Sequence, residues 1–224
     1  LVPDLYEMMV SGGNLIQIGE MPVFKIKGLL DEEGYYSKRI FEIIFSVMAL
    51  TVLSPLMLLV AVAIKLDSPG SIFYTQKRVG KEGKIFRVYK FRTMEEDAER
   101  DTGPVLASED DRRLTCLGRF LRRTRIDEFP QLFNVLKGEM SIIGPRPERP
   151  YFVEEYEKRI KDYKFRHLNK SGITGLAQIN GFYSSDPEDK LKLDLLYNNK
   201  KSPLLDIKIL LQTIKVMFLG DRPK

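Results

Sequence analysis

Two adjacent carboxylates, Asp127 and Glu128, precede a segment whose apolar residues have helical spacing. Proline is tolerated only in the first turn of a helix, so Pro130 predicts a helix that begins near Asp127 and stops at Gly138. The positive field at a helix start favours ionised carboxylates, and the free N–H groups there can bind phosphate. One carboxylate could then attack phosphorus while its neighbour binds a divalent cation. The alternative is structural, with Asp127 as an N-cap and Glu128 as a first-turn acid.

Two later segments could contact a phosphorylated ligand. Arg146 lies between Pro145 and Pro147, whose fixed φ angles stiffen the loop and help to aim a guanidinium fork at phosphate. The alternative is a surface arginine in a proline turn. Segment 171–181 contains three glycines among small polar residues, which allows a backbone to approach a ligand closely. It lacks the Gly-Lys-Ser/Thr sequence of a P-loop and is weak evidence by itself.

The composition limits the classes of chemistry. The net charge of +5 suits nucleic acid, anionic lipid or phosphorylated substrates, and does not choose among them. The only cysteine, Cys116, excludes an internal disulfide and indicates a reducing compartment. The only histidine, His167, excludes a metal site built on several His or Cys ligands.

An uncharged apolar run at 43–64 indicates contact with a membrane. As a helix it would reach about 33 Å, close to the hydrocarbon core of about 30 Å. Ser54 and Pro55 lie in its middle, and an interior proline kinks a helix. Cations flank the run on both sides, with Lys38 and Arg39 before it, and cations favour the cytoplasmic side. The residues alone leave open a kinked span, a re-entrant helix–break–helix hairpin and a buried helix of a soluble protein.

The rest of the pattern predicts a mixed chain that is mostly helical. The first strands would belong to a segment 1–34 that is either a linker or the end of a preceding domain. The helix at 117–126 is basic and amphipathic, which suits a membrane surface. Acidic segment 95–111 is expected to be a solvated loop. The predicted elements are strands at 15–19 and 22–26, a β-hairpin from 71–76 and 84–90, and helices at 117–126, 152–165 and 204–219.

Five motifs in a fixed order give the chain a family resemblance. They are Gln76-Lys77-Arg78-Val79-Gly80, Lys90-Phe91-Arg92-Thr93-Met94, the stretch 127–141 that opens with Asp127-Glu128, Gly144-Pro145-Arg146-Pro147, and segment 172–178 from Gly172 to Gln178. In this order they resemble the bacterial sugar transferase family, the monotopic phosphoglycosyl transferases that move hexose-1-phosphate to polyprenyl phosphate. The resemblance covers about 36–219. Segment 1–34 resembles the linker of the family's large members, which act in exopolysaccharide or O-antigen priming.

The resemblance implies an enzyme with a covalent mechanism. Asp127 would attack the β-phosphorus of a UDP-sugar, release UMP and form an aspartyl-phosphosugar. Undecaprenyl phosphate, or another polyprenyl phosphate, would then attack this intermediate. Glu128 would bind Mg²⁺. The substrate phosphates would be bound by Lys90, Arg92, Arg122, Arg146 and Gln178.

The resemblance also implies a topology. Ser54-Pro55 would break the membrane helix, so that 35–66 forms a re-entrant hairpin. The predicted fold is therefore α+β and mostly helical, with amphipathic interface helices and a catalytic domain at 67–224. This domain would lie on the cytoplasmic face of the bacterial inner membrane.

The expected partners are a UDP-sugar, polyprenyl phosphate and membrane lipid, while a homo-oligomer is left open. Nucleic acid is not expected, because no recognised binding motif accompanies the basic charge. The competing hypothesis is a non-enzymatic membrane adaptor that binds anionic lipid through 119–125. It explains the apolar run and the basic segment, but it does not explain five ordered motifs.

Overall fold

Helices dominate the computed structural model of the chain, which describes residues 14–18, 21–25, 33–96, 98, 103, 105, 111–180 and 186–219. The strands are β1 Asn14–Ile18, β2 Met21–Lys25, β3 Phe73–Val79, β4 Ile85–Phe91, β5 Ser141–Ile143 and β6 Gly172–Thr174. The α-helices are α1 Glu33–Asp67, α2 Cys116–Arg123, α3 Gln131–Lys137, α4 Pro150–Arg159, α5 Leu176–Asn180, α6 Pro187–Lys200 and α7 Pro203–Leu219. The mostly helical α+β class is confirmed. Most of the predicted acidic loop at 95–111 and of segment 1–34 lies outside the described residues.

The strands form three separate pairs within the described part of the chain. β3 pairs antiparallel with β4, which confirms the predicted β-hairpin. The two predicted strands of segment 1–34 are present as β1 and β2, and they also pair antiparallel. The third pair, β5 with β6, is parallel and was not predicted. Each of its strands has three residues, which is too short for a periodic pattern to show. This pair matters because β5 leads directly into Arg146.

The long apolar run forms one helix, α1, which contains Pro55. Within the described residues, it is the one helix long and apolar enough to cross a membrane. Proline lacks an N–H, so the carbonyl of Thr51 loses its usual donor. The Ser54 hydroxyl donates to that carbonyl at 2.8 Å instead. The predicted helix–break–helix arrangement is not confirmed, because both sides of Pro55 belong to one continuous helix.

Both ends of α1 pack against the remainder of the chain, whereas its middle does not. Glu42 and Ser46 are buried near its start, and Val60 and Ile64 are buried near its end. Between these positions the helix exposes large apolar side chains: Val47, Met48, Val52, Leu56, Leu58 and Leu59. Such a large exposed apolar surface is typical of a segment that contacts lipid.

The cations that precede the apolar run are bound by protein groups. Lys38 Nζ lies 2.9 Å from Asp206 Oδ2 and donates to the Tyr197 hydroxyl at 3.0 Å. The guanidinium of Arg39 donates to two carbonyls of α3. Because Lys38 and Arg39 are bound to protein groups and not to lipid headgroups, their charges indicate the cytoplasmic side less strongly than the sequence suggested.

The buried side chain of Asn134 holds α3 against β4. Its Oδ1 accepts from Tyr89 N at 3.0 Å, and its Nδ2 donates to Arg87 O at 2.7 Å. The amide thus takes the place of a neighbouring strand at this edge of β4. It fixes the strand that carries Lys90 beside the helix that follows Asp127 and Glu128.

We expect Asn134→Ala to destabilise the fold. Two backbone groups of β4 lose their partner, and each orphaned group costs about 1–3 kcal/mol. The melting temperature in detergent should fall by about 5–10 °C. The control is Asn180→Ala, since the exposed Asn180 side chain donates to Leu176 O one turn earlier in its own helix. Its change in the free energy of unfolding should stay within about 0.5 kcal/mol. Equal shifts for the two variants would contradict the role of Asn134.

Candidate active site

The two carboxylates lie in a single 3₁₀ turn, Ile126–Glu128, that precedes α3. The α-helix begins at Gln131, after Pro130, and not near Asp127 as the sequence predicted. The N–H groups of Glu128 and Phe129 donate to carbonyls inside this turn. These two N–H groups are therefore not free to bind phosphate as the sequence predicted. Side chains must bind it instead. The predicted end of the helix is confirmed, because Gly138 caps α3 with a φ of 82°.

Three chain segments converge on Glu128. Lys90 Nζ from β4 lies 2.6 Å from Glu128 Oε1, and Arg146 Nη2 lies 2.9 Å from the same oxygen. Lys90 Nζ is also 3.9 Å from Asp127 Oδ2. Asp127 and Glu128 are only 6% and 7% exposed. The structure thus brings together four of the residues that the motifs marked out.

Burial and neighbouring charges shift the pKa values of the two carboxyl groups in opposite directions. Burial raises the pKa of Asp127 above its ordinary value, and the opposing effect of Lys90 does not cancel it. Burial would raise the pKa of Glu128 as well, but Arg146 and Lys90 outweigh it and hold that pKa below its usual range. Glu128 is therefore a fixed negative charge. A further cation beside Asp127 would favour the ionised form that can attack phosphorus.

Arg122 lies close to the carboxylates, as the family resemblance implied. Its Nε donates to Thr93 Oγ1 at 3.1 Å, and its charge opposes the rise in the pKa of Asp127. It stands on α2, which ends three residues before Ile126–Glu128. A guanidinium in this place can bind a phosphate that approaches Asp127.

The side chain of Arg92 contacts the turn after α1. Its guanidinium donates to Ser68 O, Ser68 Oγ and Pro69 O at 2.6–2.8 Å, which fastens the turn after α1. β4 ends at Phe91, so Arg92 no longer follows the strand that directs Lys90 toward the carboxylates. The phosphate-binding role of Arg92 stays a prediction that these contacts do not support.

The glycine-rich segment packs against the loop of Arg146. A Cβ atom on Gly172 or Gly175 would overlap backbone atoms of Gly144. These glycines thus allow two backbones to meet, which is a different role from the predicted approach to a ligand. Gln178 Nε2 donates to Ile173 O at 2.8 Å within this segment. Its predicted substrate contact stays a prediction.

A buried ion pair that the sequence did not predict holds the backbone carbonyl of Arg146. Arg166 Nη2 lies 2.8 Å from Asp194 Oδ2 and donates to the Arg146 carbonyl at 3.2 Å. Asp194 stands on α6, a helix that was not predicted. Its start could have been found, because Asp186 caps it and Pro187 occupies its first turn. No sequence pattern pairs Arg166 with Asp194, since their contact depends on the fold.

The chemistry of Glu128 suits the magnesium ion that the family resemblance implies. Among the described residues, no group of three or more His, Cys, Asp and Glu side chains could hold a metal. Mg²⁺ in phosphate-transfer sites usually needs only one or two carboxylates, with substrate phosphates and waters as its other ligands. Glu128, whose Oε1 contacts both Lys90 and Arg146, is the residue that would hold the ion.

Comparison with known proteins decides the family. Residues 34–220 match the family model described as bacterial sugar transferase. The chain belongs to this family. The family that the five motifs indicated is therefore confirmed.

Curated relatives of this sugar transferase chain carry specific names. It is 42% identical over 230 residues to a UDP-glucose:undecaprenyl-phosphate glucose-1-phosphate transferase of Xanthomonas campestris pv. campestris, covering 99% of this chain and 47% of the relative. It is 44% identical over 209 residues to the UDP-N-acetylgalactosamine-undecaprenyl-phosphate N-acetylgalactosaminephosphotransferase of Aeromonas hydrophila, covering 92% and 49%. The chain thus spans about half the length of these relatives.

We expect Arg146→Lys to remove most of the sugar-phosphate transfer that the family resemblance implies. Lysine keeps the charge but cannot present two parallel N–H groups to Glu128 and a phosphate. Turnover, measured as UMP release, should fall by about 100-fold. Arg159→Lys is the matched control, because Arg159 is exposed and its contacts among the described residues, with Glu155 and the Tyr156 ring, stay within α4. Wild-type turnover in Arg146→Lys would show that Arg146 acts only as a diffuse charge.

Proposed function

We propose that the chain transfers a sugar-1-phosphate from a UDP-sugar to undecaprenyl phosphate, giving undecaprenyl-diphosphate-sugar and UMP. One observation carries the proposal. A buried Asp127 lies beside a Glu128 whose charge is fixed by Lys90 and Arg146, in a chain related to enzymes that are named for this transfer. The non-enzymatic adaptor is the weaker hypothesis, because it gives no reason for burying and pairing these carboxylates.

In the first half-reaction, a carboxylate oxygen of Asp127 attacks the sugar-bearing β-phosphorus. The bond from this phosphorus to the bridging oxygen breaks, and UMP leaves with the electron pair. The product is a mixed anhydride between Asp127 and the sugar phosphate. Arg146 and Arg122 stabilise the charge on the phosphoryl oxygens, which is the main requirement of phosphoryl transfer.

In the second half-reaction, a phosphate oxygen of undecaprenyl phosphate attacks the same phosphorus. The acyl–phosphate bond breaks, which restores the Asp127 carboxylate and gives the diphosphate product. No proton donor is needed at either step, since both attacking groups and both leaving groups are anions. Dividing the transfer into two displacements lets one site serve a soluble donor and a lipid acceptor in turn.

Glu128 is the residue that would hold Mg²⁺. When bound, the ion neutralises charge on the diphosphate and on the leaving UMP. Lys90 keeps Glu128 ionised and in place, at 2.6 Å from its Oε1. The relatives are named for glucose and for N-acetylgalactosamine, so a panel of UDP-sugars is the proper assay for the donor.

The contacts of α1 favour a helix that returns to the side from which it starts. Arg39 near its start binds Val135 O, and Ile64 near its end packs in one cluster with Phe91. These two anchor points are neighbours, because Asn134 bonds directly to β4. A spanning helix would separate its ends by about 30 Å of hydrocarbon, and one aqueous domain could not contact both. A re-entrant α1 satisfies both contacts while its exposed apolar middle enters the membrane.

Two further helices can lie on the same membrane surface. α7 exposes one apolar face: Leu204, Ile207, Leu211 and Ile214. The Lys38–Asp206 ion pair holds the first turn of α7 beside the start of α1. α2 exposes Phe120 among arginines that can contact anionic headgroups. We propose that the catalytic domain lies on the cytoplasmic face of the bacterial inner membrane, because UDP-sugars are available there.

The dyad is tested by two substitutions. Asp127→Asn should lower UMP release by more than about 1,000-fold, because the amide cannot act as the nucleophile. Glu128→Gln should lower turnover and weaken its response to Mg²⁺ together. Asp189→Asn is the control, since Asp189 is exposed and its side chain pairs with Lys192 one turn away on the same helix. Substantial turnover by Asp127→Asn would remove Asp127 as nucleophile, and an unchanged Mg²⁺ response would reassign the metal ligand.

The topology is tested by labelling single cysteines in a Cys116→Ser background. Tyr36 and Leu66 flank the apolar segment and are both exposed. Cysteines at these positions should both react with an impermeant thiol reagent from the cytoplasmic side only. Labelling from opposite sides would show a true span and contradict the re-entrant helix, while leaving the chemistry of Asp127 untouched.

A further inference from the structure

Helix α3, the connection 138–140 and strand β5 form a helix–turn–strand unit with two arms, α3 and β5. The candidate active site lies at the open end of this unit, opposite the connection. Asp127 and Glu128 immediately precede α3, and Arg146 follows β5. The contact of Arg146 Nη2 with Glu128 Oε1, at 2.9 Å, joins the two arms at that end. The closed end is the short connection 138–140, where the N–H groups of Glu139 and Met140 donate to Asn134 O.

Arg39 of α1 binds the α3 arm next to this closed end. Its Nη1 donates to Val135 O at 2.5 Å, and its Nη2 donates to Leu136 O at 2.8 Å. Val135 O also accepts from Gly138 N at 2.9 Å, and a cation at the last turn of a helix interacts favourably with the helix dipole. Arg39 therefore fixes both the position and the direction of α3, whose other end leads back to Glu128.

Glu42, one turn further along α1, binds the β5 arm. Its Oε1 accepts hydrogen bonds from the Ser141 hydroxyl and from Ile142 N, the latter at 3.3 Å. Its Oε2 lies 4.0 Å from Arg39 Nη1. Glu42 is 3% exposed, so breaking these contacts would leave a buried charge poorly paired. Two side chains on one turn of the membrane helix thus hold the two arms whose far ends meet in the active site.

We propose that Arg39 and Glu42 are positioning residues that couple the membrane helix to the catalytic carboxylates. They set the separation of the two arms, and thereby the contact between Arg146 and Glu128. The inference rests on the proposed function, since it assigns these residues to the same phosphoryl transfer. It predicts that the attachment of α1 adjusts turnover although neither residue touches the substrate.

The coupling can be measured by a double-mutant cycle on UMP release. The full chain is used in lipid nanodiscs with Mg²⁺, a UDP-sugar that wild type turns over, and undecaprenyl phosphate. Arg39→Gln alone should lower kcat by about 10- to 100-fold, because small displacements of a catalytic group are costly. The KM for the UDP-sugar should change less than about 3-fold, since uniform binding is not lost.

The second arm of the cycle adds Arg146→Lys. If Arg39 acts through the Arg146–Glu128 contact, its substitution should cost less than about 3-fold in this background, because the contact is already impaired. Full multiplication of the two effects overturns the proposal, since that is the result for distant sites that act independently. A wild-type kcat in Arg39→Gln overturns it as well.

Two variants separate positioning from a general loss of structure. Arg39→Lys keeps a cation but reaches fewer carbonyls, so it should recover part of the kcat that Arg39→Gln loses. Glu42→Gln keeps the shape of the side chain, can still accept from Ser141, and should show the same non-additivity with Arg146→Lys. If both variants are multiplicative, the proposal is wrong even where Arg39→Gln fails to fold. If wild type releases UMP from no UDP-sugar, the proposed function fails first and the coupling fails with it.

Discussion

The paired contacts of Lys90 and Arg146 with one oxygen of Glu128 are the interaction on which the site depends. A carboxylate this deeply buried is stable only when cations and hydrogen bonds replace its water. Those cations come from β4 and from the loop after β5, so the charge of Glu128 forces three segments to meet. The same contacts leave Asp127 beside a fixed negative charge, with a raised pKa and a need for further positive charge. A metal-bound diphosphate would supply that charge.

Each partner of Glu128 is in turn held by a buried polar contact. Asn134 takes the place of a strand beside β4 and so places Lys90. The Arg166–Asp194 pair holds the backbone of Arg146. The membrane helix contacts the other ends of the two arms that carry the site. Buried polar contacts therefore connect α1, through α3 and β5, to the carboxylates of the site.

The amino-acid sequence predicts the residues of the site better than their supports. Adjacent carboxylates before an apolar helix, and an arginine between two prolines, are visible as patterns, and the structure brings them together. The helix predicted at 204–219 is also confirmed, because α7 spans Pro203–Leu219. The strands β5 and β6 are too short for their sequence to show a periodic pattern.

Arg92 and Lys90 look equivalent in sequence, and only the end of β4 at Phe91 directs them to different partners. Pairs such as Arg166 with Asp194 join distant segments and have no local signature.

The central claim is that Asp127 becomes covalently bonded to the sugar phosphate. The most direct measurement is the intact mass of the protein after incubation with Mg²⁺ and a UDP-sugar in the absence of polyprenyl phosphate, followed by acid quenching and peptide mapping. The account predicts an added mass equal to one sugar phosphate, located on the peptide that contains Asp127. The adduct should disappear when undecaprenyl phosphate is added, and it should be absent in Asp127→Asn. Turnover of both substrates with no adduct at any time, or an adduct on another residue, would contradict the account.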